Sequence, residues 1–465
     1  MSILETILMK PREISVSAKF TQTAAIFIIT SIIALLMLSK ATPIVWEDHF
    51  KIGQNLRSTG TLTIDDVPSI IRPPGYPAFV AASLWIGDAI YVRKDVSVER
   101  TKERDQRTVV FAQGILLGAM AASLFLWASL WSGSVAAASI ALAAALNPYA
   151  LALANLLSYH LLFVVLLTFS TLALALLRGR SQPSGLSALV VGLLWGLTSL
   201  VKPVTLIIPI FAVALMLIRR PLRHALTSIV LLGVGMILMV GPYVARNYLV
   251  TGQPFVTAQG GFAFWGTSIE KIDPDQPFLV WQPIWWKYGM PIFTKVTGSA
   301  QYSEPLINAY AVQLNAEFSK QARQNIIAAP DVYLYNVVRN FLSFNLDTMA
   351  FWNKFFVAHN KRLVQVLSEC WIVCLMLLAA AGAIWGCIRN DDDAMTVTAI
   401  YLGIVVAHSI SFSTELYTIS KLPLIILGFA LLVIRLESTT RYGMLARTLA
   451  CGTAGFALII SVLAA

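Results

Sequence analysis

Residues 23–50 read TAAIFIITSIIALLMLSKATPIVWEDHF: an unbroken apolar run over 23–39, then a short polar link, then two adjacent carboxylates, Glu47 and Asp48. A helix needs roughly 17–25 apolar residues to cross about 30 Å of hydrocarbon, so the run reads as a first transmembrane helix. Lys10, Arg12 and Lys19 precede it and no small-x-small cleavage pattern follows. It therefore reads as a retained span with its N-terminus in the cytoplasm, which delivers the acidic pair to the outer face.

The remainder of the chain repeats the first motif. Of 465 residues, 57% are hydrophobic and 12% charged, too little polar surface for a soluble protein of this length. The formal charge of +10 comes from basic residues scattered at the ends of apolar runs, where orientation and lipid headgroups account for them, and nucleic acid is not an expected partner. Cys370, Cys374, Cys387 and Cys451 all lie in apolar runs without the spacing of a zinc site or a disulfide framework, and read as packing residues.

Basic clusters fix the topology. LLRGR (176–180) and IRRPLRH (218–224) end long apolar runs and mark the cytoplasmic side. Counting from them gives eleven spans, near 23–39, 109–131, 133–150, 158–178, 186–200, 203–218, 225–243, 369–388, 395–413, 421–436 and 446–463. The expected fold is an all-α polytopic bundle of about eleven helices. Three regions follow: an N-terminal transmembrane module (1–243) with a first outer loop (41–107), a large outer loop (244–368) with interfacial helices, and C-terminal transmembrane helices (369–465). The apolar stretch 76–91 must begin and end on the same face, along the membrane. Six basic residues in 93–107 run against the positive-inside rule on that side.

Ionisable groups next to a bilayer are functional candidates by default. The first outer loop carries Glu47/Asp48, Asp65/Asp66, and Arg72 before a Pro-Pro-Gly turn. Adjacent carboxylates repel, so one titrates high unless a cation lies between them. Such a pair can supply a general base, or admit a divalent cation such as Mg or Mn through hard oxygen ligands. Solvated loop acids are the plainer reading of either pair. Arg72, Lys202, Arg246 and Lys421 each stand where a span meets the outer surface. Singly they read as snorkelling anchors; together with the carboxylates they suggest a phosphate site.

The order of motifs resembles the GT-C membrane glycosyltransferases that use polyprenyl-phosphate sugars, among them the protein O-mannosyltransferases, the lipid A aminoarabinose transferases and the actinobacterial arabinofuranosyltransferases. The matching stretches are EDHF (47–50), RPPGYPAFVA (72–81), GLTSLVKPVTLIIP (196–209), PYVARNYLVTGQPFVTAQGGFAFWGTS (242–268), SKQARQNIIAAPDVYLYNVVRN (319–340) and TELYTISKLP (414–423). Three departures stand out. The acids come as Glu47 then Asp48, where many relatives have Asp then Glu. NLLSYHLL (155–162) has no second acid where relatives often place one, leaving Asp66 or His160 as substitutes. Leu416 replaces a basic residue between Glu415 and Tyr417.

The resemblance implies an inverting transferase that moves a monosaccharide from a polyprenyl-phosphate donor to an acceptor hydroxyl on a glycan, lipid or protein, at the outer face of a bacterial inner membrane. Asp48 would be the base, assisted or replaced by Glu47, which with it are the candidate metal ligands. Arg72, Lys202, Arg246 and Lys421 would neutralise the donor phosphate, and Asp66, Tyr76, His160, Glu415, Tyr417 and Trp265 would face substrate. The competing readings are an O-antigen-ligase-like transferase using a diphosphate-linked donor, and a transporter or flippase for a lipid-linked sugar; charges gathered at one face favour chemistry there over transport. Trp281, Trp285 and Trp286 read as a membrane-boundary belt or a sugar-stacking platform. Residues 304–329 have the spacing of an interfacial helix. His49, His359 and His408 have no partner at i+4 and read as polar contacts.

Overall fold

The computed structural model describes residues 16–45, 48–90, 98–178, 185–219, 221–273, 281–349, 361–411, 415–439 and 442–464. The chain is all-α apart from two two-stranded ladders. Its main helices are α1 (Val16–Ser39), α2 (His49–Thr59), α3 (Gly75–Ile90), α4 (Val98–Ala128), α5 (Ser134–Ala145), α6 (Pro148–Asn155), α7 (Tyr159–Arg178), α8 (Gly185–Val201), α9 (Ile208–Arg219) and α10 (Leu222–Thr251). After them come α11 (Gly260–Ser268), α12 (Ala311–Ala328), α13 (Pro330–Leu346), α14 (Lys361–Ile388), α15 (Asp392–Ile410), α16 (Leu422–Ser438) and α17 (Gly443–Ala464).

Among the described residues, eight helices are long and apolar enough to cross a membrane: α1, α4, α7, α10, α14, α15, α16 and α17. The chain is an integral membrane protein. Three of the expected spans take other forms. The run at 133–150 is the pair α5 and α6, bent by 45° at Asn147–Pro148. Pro148 removes a backbone donor there, and Asn147 repairs both broken ends: its amide donates to the carbonyls of Ala143 and Ala144, and its oxygen accepts from the N–H of Ala150. The other two are α8 and α9, of 17 and 12 residues, and α8 packs along α10. A Cβ added at Gly192 would lie 2.1 Å from the Leu232 carbonyl oxygen, so the backbones meet there without side chains between them.

The bundle core runs through α4 to α8 and α14 to α16, with α16 enclosed along nearly its whole length. Cys370 and Cys374, expected to pack, lie on an exposed face of α14. A second apolar cluster forms around Trp265, Trp285, Phe293 and Phe318, among the described residues of the large outer loop. The expected helix over 304–329 is present in two pieces, Glu304–Ala309 and α12, joined at Tyr310.

Candidate active site

The loop after α1 is fastened in three places. Strand β1 (Ile44–Val45) pairs in parallel with β4 (Leu156–Leu157), and the Asn155 amide donates to the Thr42 carbonyl at 2.8 Å. Strands β2 (Thr63–Ile64) and β3 (Val67–Pro68) form a hairpin turned by Asp65 and Asp66, both at positive φ (46° and 65°). Aspartate tolerates that conformation better than most residues, so backbone geometry accounts for this second acidic pair. Arg246 is the third fastener: its guanidinium donates to the carbonyls of Ser69 (2.9 Å) and Leu62 (3.1 Å) and to Asn247 Oδ1 (2.8 Å).

Asp48 precedes α2 without capping it, which leaves its carboxylate for other partners. Arg72 provides one, with Nη2 at 4.0 Å from Asp48 Oδ2 and 3.5 Å from Glu304 Oε1. Tyr302 donates its hydroxyl to the same Glu304 oxygen at 2.8 Å. The three charged side chains are 20–29% exposed, dry enough for their charges to act on one another and open enough to receive a ligand. Burial pushes the Asp48 carboxyl up from its ordinary value, and the neighbouring Glu304 carboxylate pushes it further, while Arg72 pulls it back. Burial and Glu304 likewise hold the Tyr302 phenol well above its usual range.

The segment that follows Arg72 meets the end of α8, just before Lys202, at Gly75. A Cβ at Gly75 would stand 2.6 Å from a Val201 methyl and 2.8 Å from the Leu200 carbonyl oxygen, so the Pro-Pro-Gly turn after Arg72 lies directly on the end of α8. The Lys202 ammonium is buried. It donates to Ser420 Oγ at 2.8 Å and stands over two rings, 4.8 Å from the centre of Phe163 and 4.6 Å from that of Tyr417. Aromatic faces attract a cation electrostatically without neutralising it. Tyr417 stacks on His408, which stacks on Phe344, at centroid distances of 5.1 and 5.2 Å.

The remaining expected site residues have other surroundings. Lys421 is fully buried and donates to the carbonyls of Phe344 and Asp347. Tyr76 is buried against His49 and donates to Gln113, whose amide holds the carbonyls of Ala154 and Leu156. His160 is buried, bonded to Ser158 Oγ through Nδ1 and stacked on Tyr159, whose ring also lies 5.3 Å from that of His49. The segment lacking a second acid is thus close to the Asp48 helix. Asp66 is exposed in its hairpin, and Trp265 is enclosed in the outer-loop core, 4.7 Å from Phe318. Trp285 is buried in the same cluster while Trp286 is exposed. Glu47, His359 and the side chains of Trp281 and Glu415 lie outside the described residues. Sequence reasoning missed Glu304, Tyr302 and Ser420. Glu304 carried a misleading signal, since a Ser-Glu-Pro start is ordinary helix N-terminus chemistry.

Solved structures with a similar architecture include the oligosaccharyltransferase AglB from Archaeoglobus fulgidus in complex with an inhibitory peptide and a dolichol-phosphate. The two share a TM-score of 0.54 at 12% identity over 94% of this chain and 55% of that one. The Archaeoglobus fulgidus oligosaccharyltransferase in complex with zinc and sulfate gives 0.51 at 12% identity, over 94% and 53%. The fold is GT-C. ArnT from Cupriavidus metallidurans bound to undecaprenyl phosphate aligns over 88% of this chain and 79% of its own, at a TM-score of 0.37 and 14% identity. The sequence matches no protein-family model and no curated protein. The chain spans just over half the length of the two oligosaccharyltransferases.

Zinc in one GT-C neighbour prompts the question of a metal here. Asp48 and Glu304 supply two carboxylates, and no group of three or more His, Cys, Asp or Glu residues is assembled among the described residues. Arg72 already stands within 4.0 Å of both acids. Among the described residues a guanidinium lies between the two carboxylates; one or two carboxylates with water and a substrate phosphate suffice for a magnesium-type cation, so Asp48 and Glu304 are the described residues that would hold one.

Proposed function

We propose that the chain is an inverting glycosyltransferase that moves a monosaccharide from a polyprenyl-phosphate donor to an acceptor hydroxyl at the loop-bearing face of a bacterial inner membrane. The observation that carries this reading is the juxtaposition of Asp48, raised above its ordinary pKa, with Arg72, in a segment whose Gly75 rests on the end of α8 just before the ring-held Lys202. The acceptor O–H transfers its proton to the Asp48 carboxylate as its oxygen bonds to the anomeric carbon. The bond from that carbon to the phosphate oxygen breaks on the opposite face, and the configuration inverts. Two negative charges then sit on the departing lipid phosphate, and Arg72 and Lys202 are the cations aimed at them.

A base works best with a pKa near the working pH, and the Glu304 carboxylate beside Asp48 moves it in that direction. Arg246 and Lys421 have weaker standing as phosphate ligands because their donors are spent on backbone carbonyls. Tyr417 acts through Lys202, forming part of its seat.

The test is transfer by purified protein in liposomes from a radiolabelled polyprenyl-monophosphate sugar. Asp48→Asn is expected to abolish transfer while donor binding persists, and Lys202→Met to weaken donor binding. Normal transfer by Asp48→Asn removes the base assignment. Transfer confined to a diphosphate-linked donor replaces the reading with the ligase-like one, and passage of label across the bilayer without transfer replaces it with a flippase.

A further inference from the structure

Helix α13 (Pro330–Leu346) wears its polarity inside out. Its buried face is polar but for Phe344 near its end: Asn336 accepts from the Ile272 N–H and donates to the carbonyls of Thr267 and Glu270, Asn340 donates to those of Ser409 and Ser411, and Ser343 is enclosed beside them. Its exposed face is a stripe of Leu334, Val338, Phe341, Leu342 and Leu346, with the spacing of one helix side. In water such a stripe of large apolar residues is costly; in hydrocarbon it is the ordinary outer surface.

Contacts with the spans give the helix a depth. Near its start the Tyr333 hydroxyl reaches the Ile410 carbonyl, at the loop-side end of α15. Near its finish Asn345 accepts from the Tyr401 hydroxyl, well down the same span. The opposite end of the bundle is marked by the ion pair Arg435–Asp391. From Arg435 back to Lys421 is 14 residues of α16 and its lead-in, about 21 Å at 1.5 Å per residue. Lys421 holds the carbonyls of Phe344 and Asp347, so the C-terminal end of α13 lies at that level, roughly 9 Å below the loop-side boundary of a ~30 Å hydrocarbon layer.

We infer that α13 is a lipid-embedded wedge: it enters the loop-side leaflet at an incline, beds Leu334, Val338, Phe341, Leu342 and Leu346 in acyl chains, and has its C-terminal carbonyls capped by Lys421. The cap answers a requirement of the medium. Below the headgroups no water satisfies the last carbonyls of a helix, and a lysine buried among rings and backbone meets the need from within the protein. Phe344 belongs to the same end and stacks on His408, so the wedge also supports the ring stack on which Lys202 rests.

The test uses the wild-type protein in phosphatidylethanolamine–phosphatidylglycerol vesicles containing a phospholipid with a diazirine in its acyl chain, irradiated and mapped by mass spectrometry. The expected result is adducts on the exposed stripe of 330–346, at a yield within about threefold of the lipid-facing residues of α14, with Asn336 and Ser343 unmodified. Labelling of α14 with none on 330–346 overturns the inference, whether the stripe is wet or covered by a second chain, and so does hydroxyl-radical oxidation of Leu342 and Leu346 from the aqueous phase.

Discussion

Arg246 divides two accounts of its own purpose: the sequence offers it as a phosphate ligand, whereas the structure spends its guanidinium on the Ser69 and Leu62 carbonyls, which flank the β2–β3 hairpin. Arg246→Gln separates them. A hydrogen bond from a charged donor contributes about 1.5–3 kcal/mol, and for a half-buried side chain the lower end applies, so losing both carbonyl bonds costs about 3 kcal/mol of local stability. At 1.4 kcal/mol per factor of ten, opening of residues 61–72 becomes about 100-fold more frequent. Hydrogen exchange read by mass spectrometry measures this without knowledge of the reaction, the Ser69 N–H, bonded to the Leu62 carbonyl at 2.8 Å, being the natural reporter. Exchange across 61–72 should accelerate while that of α16 stays unchanged. Unchanged exchange in the hairpin, with loss of affinity for a polyprenyl phosphate, refutes the clamp and restores Arg246 to the phosphate site.

Further expectations concern the cluster and its supports. Glu304→Gln removes a carboxylate that raises Asp48, so Asp48 titrates lower and the acid limb of the pH–rate profile moves to lower pH; a limb that stays or moves upward contradicts the proposed coupling. The same shift has a stability sign. A folded-state pKa raised above the unfolded one contributes stability that is full below the unfolded value and lost as pH rises through the folded one, and Glu304→Gln should flatten that slope. Gly75→Ala forces a methyl to within 2.6–2.8 Å of Val201 and the Leu200 carbonyl; a loss of about 1–3 kcal/mol in thermal unfolding is expected, with weaker donor binding as the Arg72 segment is lifted off the end of α8. Trp285→Ala should cost about 3–5 kcal/mol through its cluster, whereas exposed Trp286→Ala should stay within about 0.5 kcal/mol; equal effects by scanning calorimetry contradict the burial difference.

The helical bundle was legible because hydrocarbon imposes a length and a composition on every span, and both are visible one residue at a time. The bend at Asn147–Pro148 was hidden because Asn147 hides its polarity by bonding to both sides of the break. Within the candidate site, Asp48, Arg72 and the proposed Lys202 stood out as charges beside apolar runs. Asp65 and Asp66 stood out equally, yet positive φ explains them, a backbone property that a pair of letters does not distinguish from an electrostatic one. Glu304 stayed concealed for the opposite reason, since an acid in the first turn of a helix has an adequate local explanation. Its partners Asp48 and Arg72 lie over 230 residues away, and only packing brings them together.

The pairing of Ile44–Val45 with Leu156–Leu157 has a bearing on biogenesis. The two strands are 112 residues apart, from 44 to 156, so at ~5–20 residues per second a ribosome needs about 6–22 s after making the first strand to supply its mate. Throughout that interval β1 lacks its mate, while α2 already has α3 to pack on and Asp88 to pair with Arg57. The strand pairing that fixes the start of the loop thus forms late, when the first four apolar segments have been synthesised. A chain stalled before Leu157 would carry its membrane anchor without an assembled site, so premature products of this protein are expected to be inserted and inert.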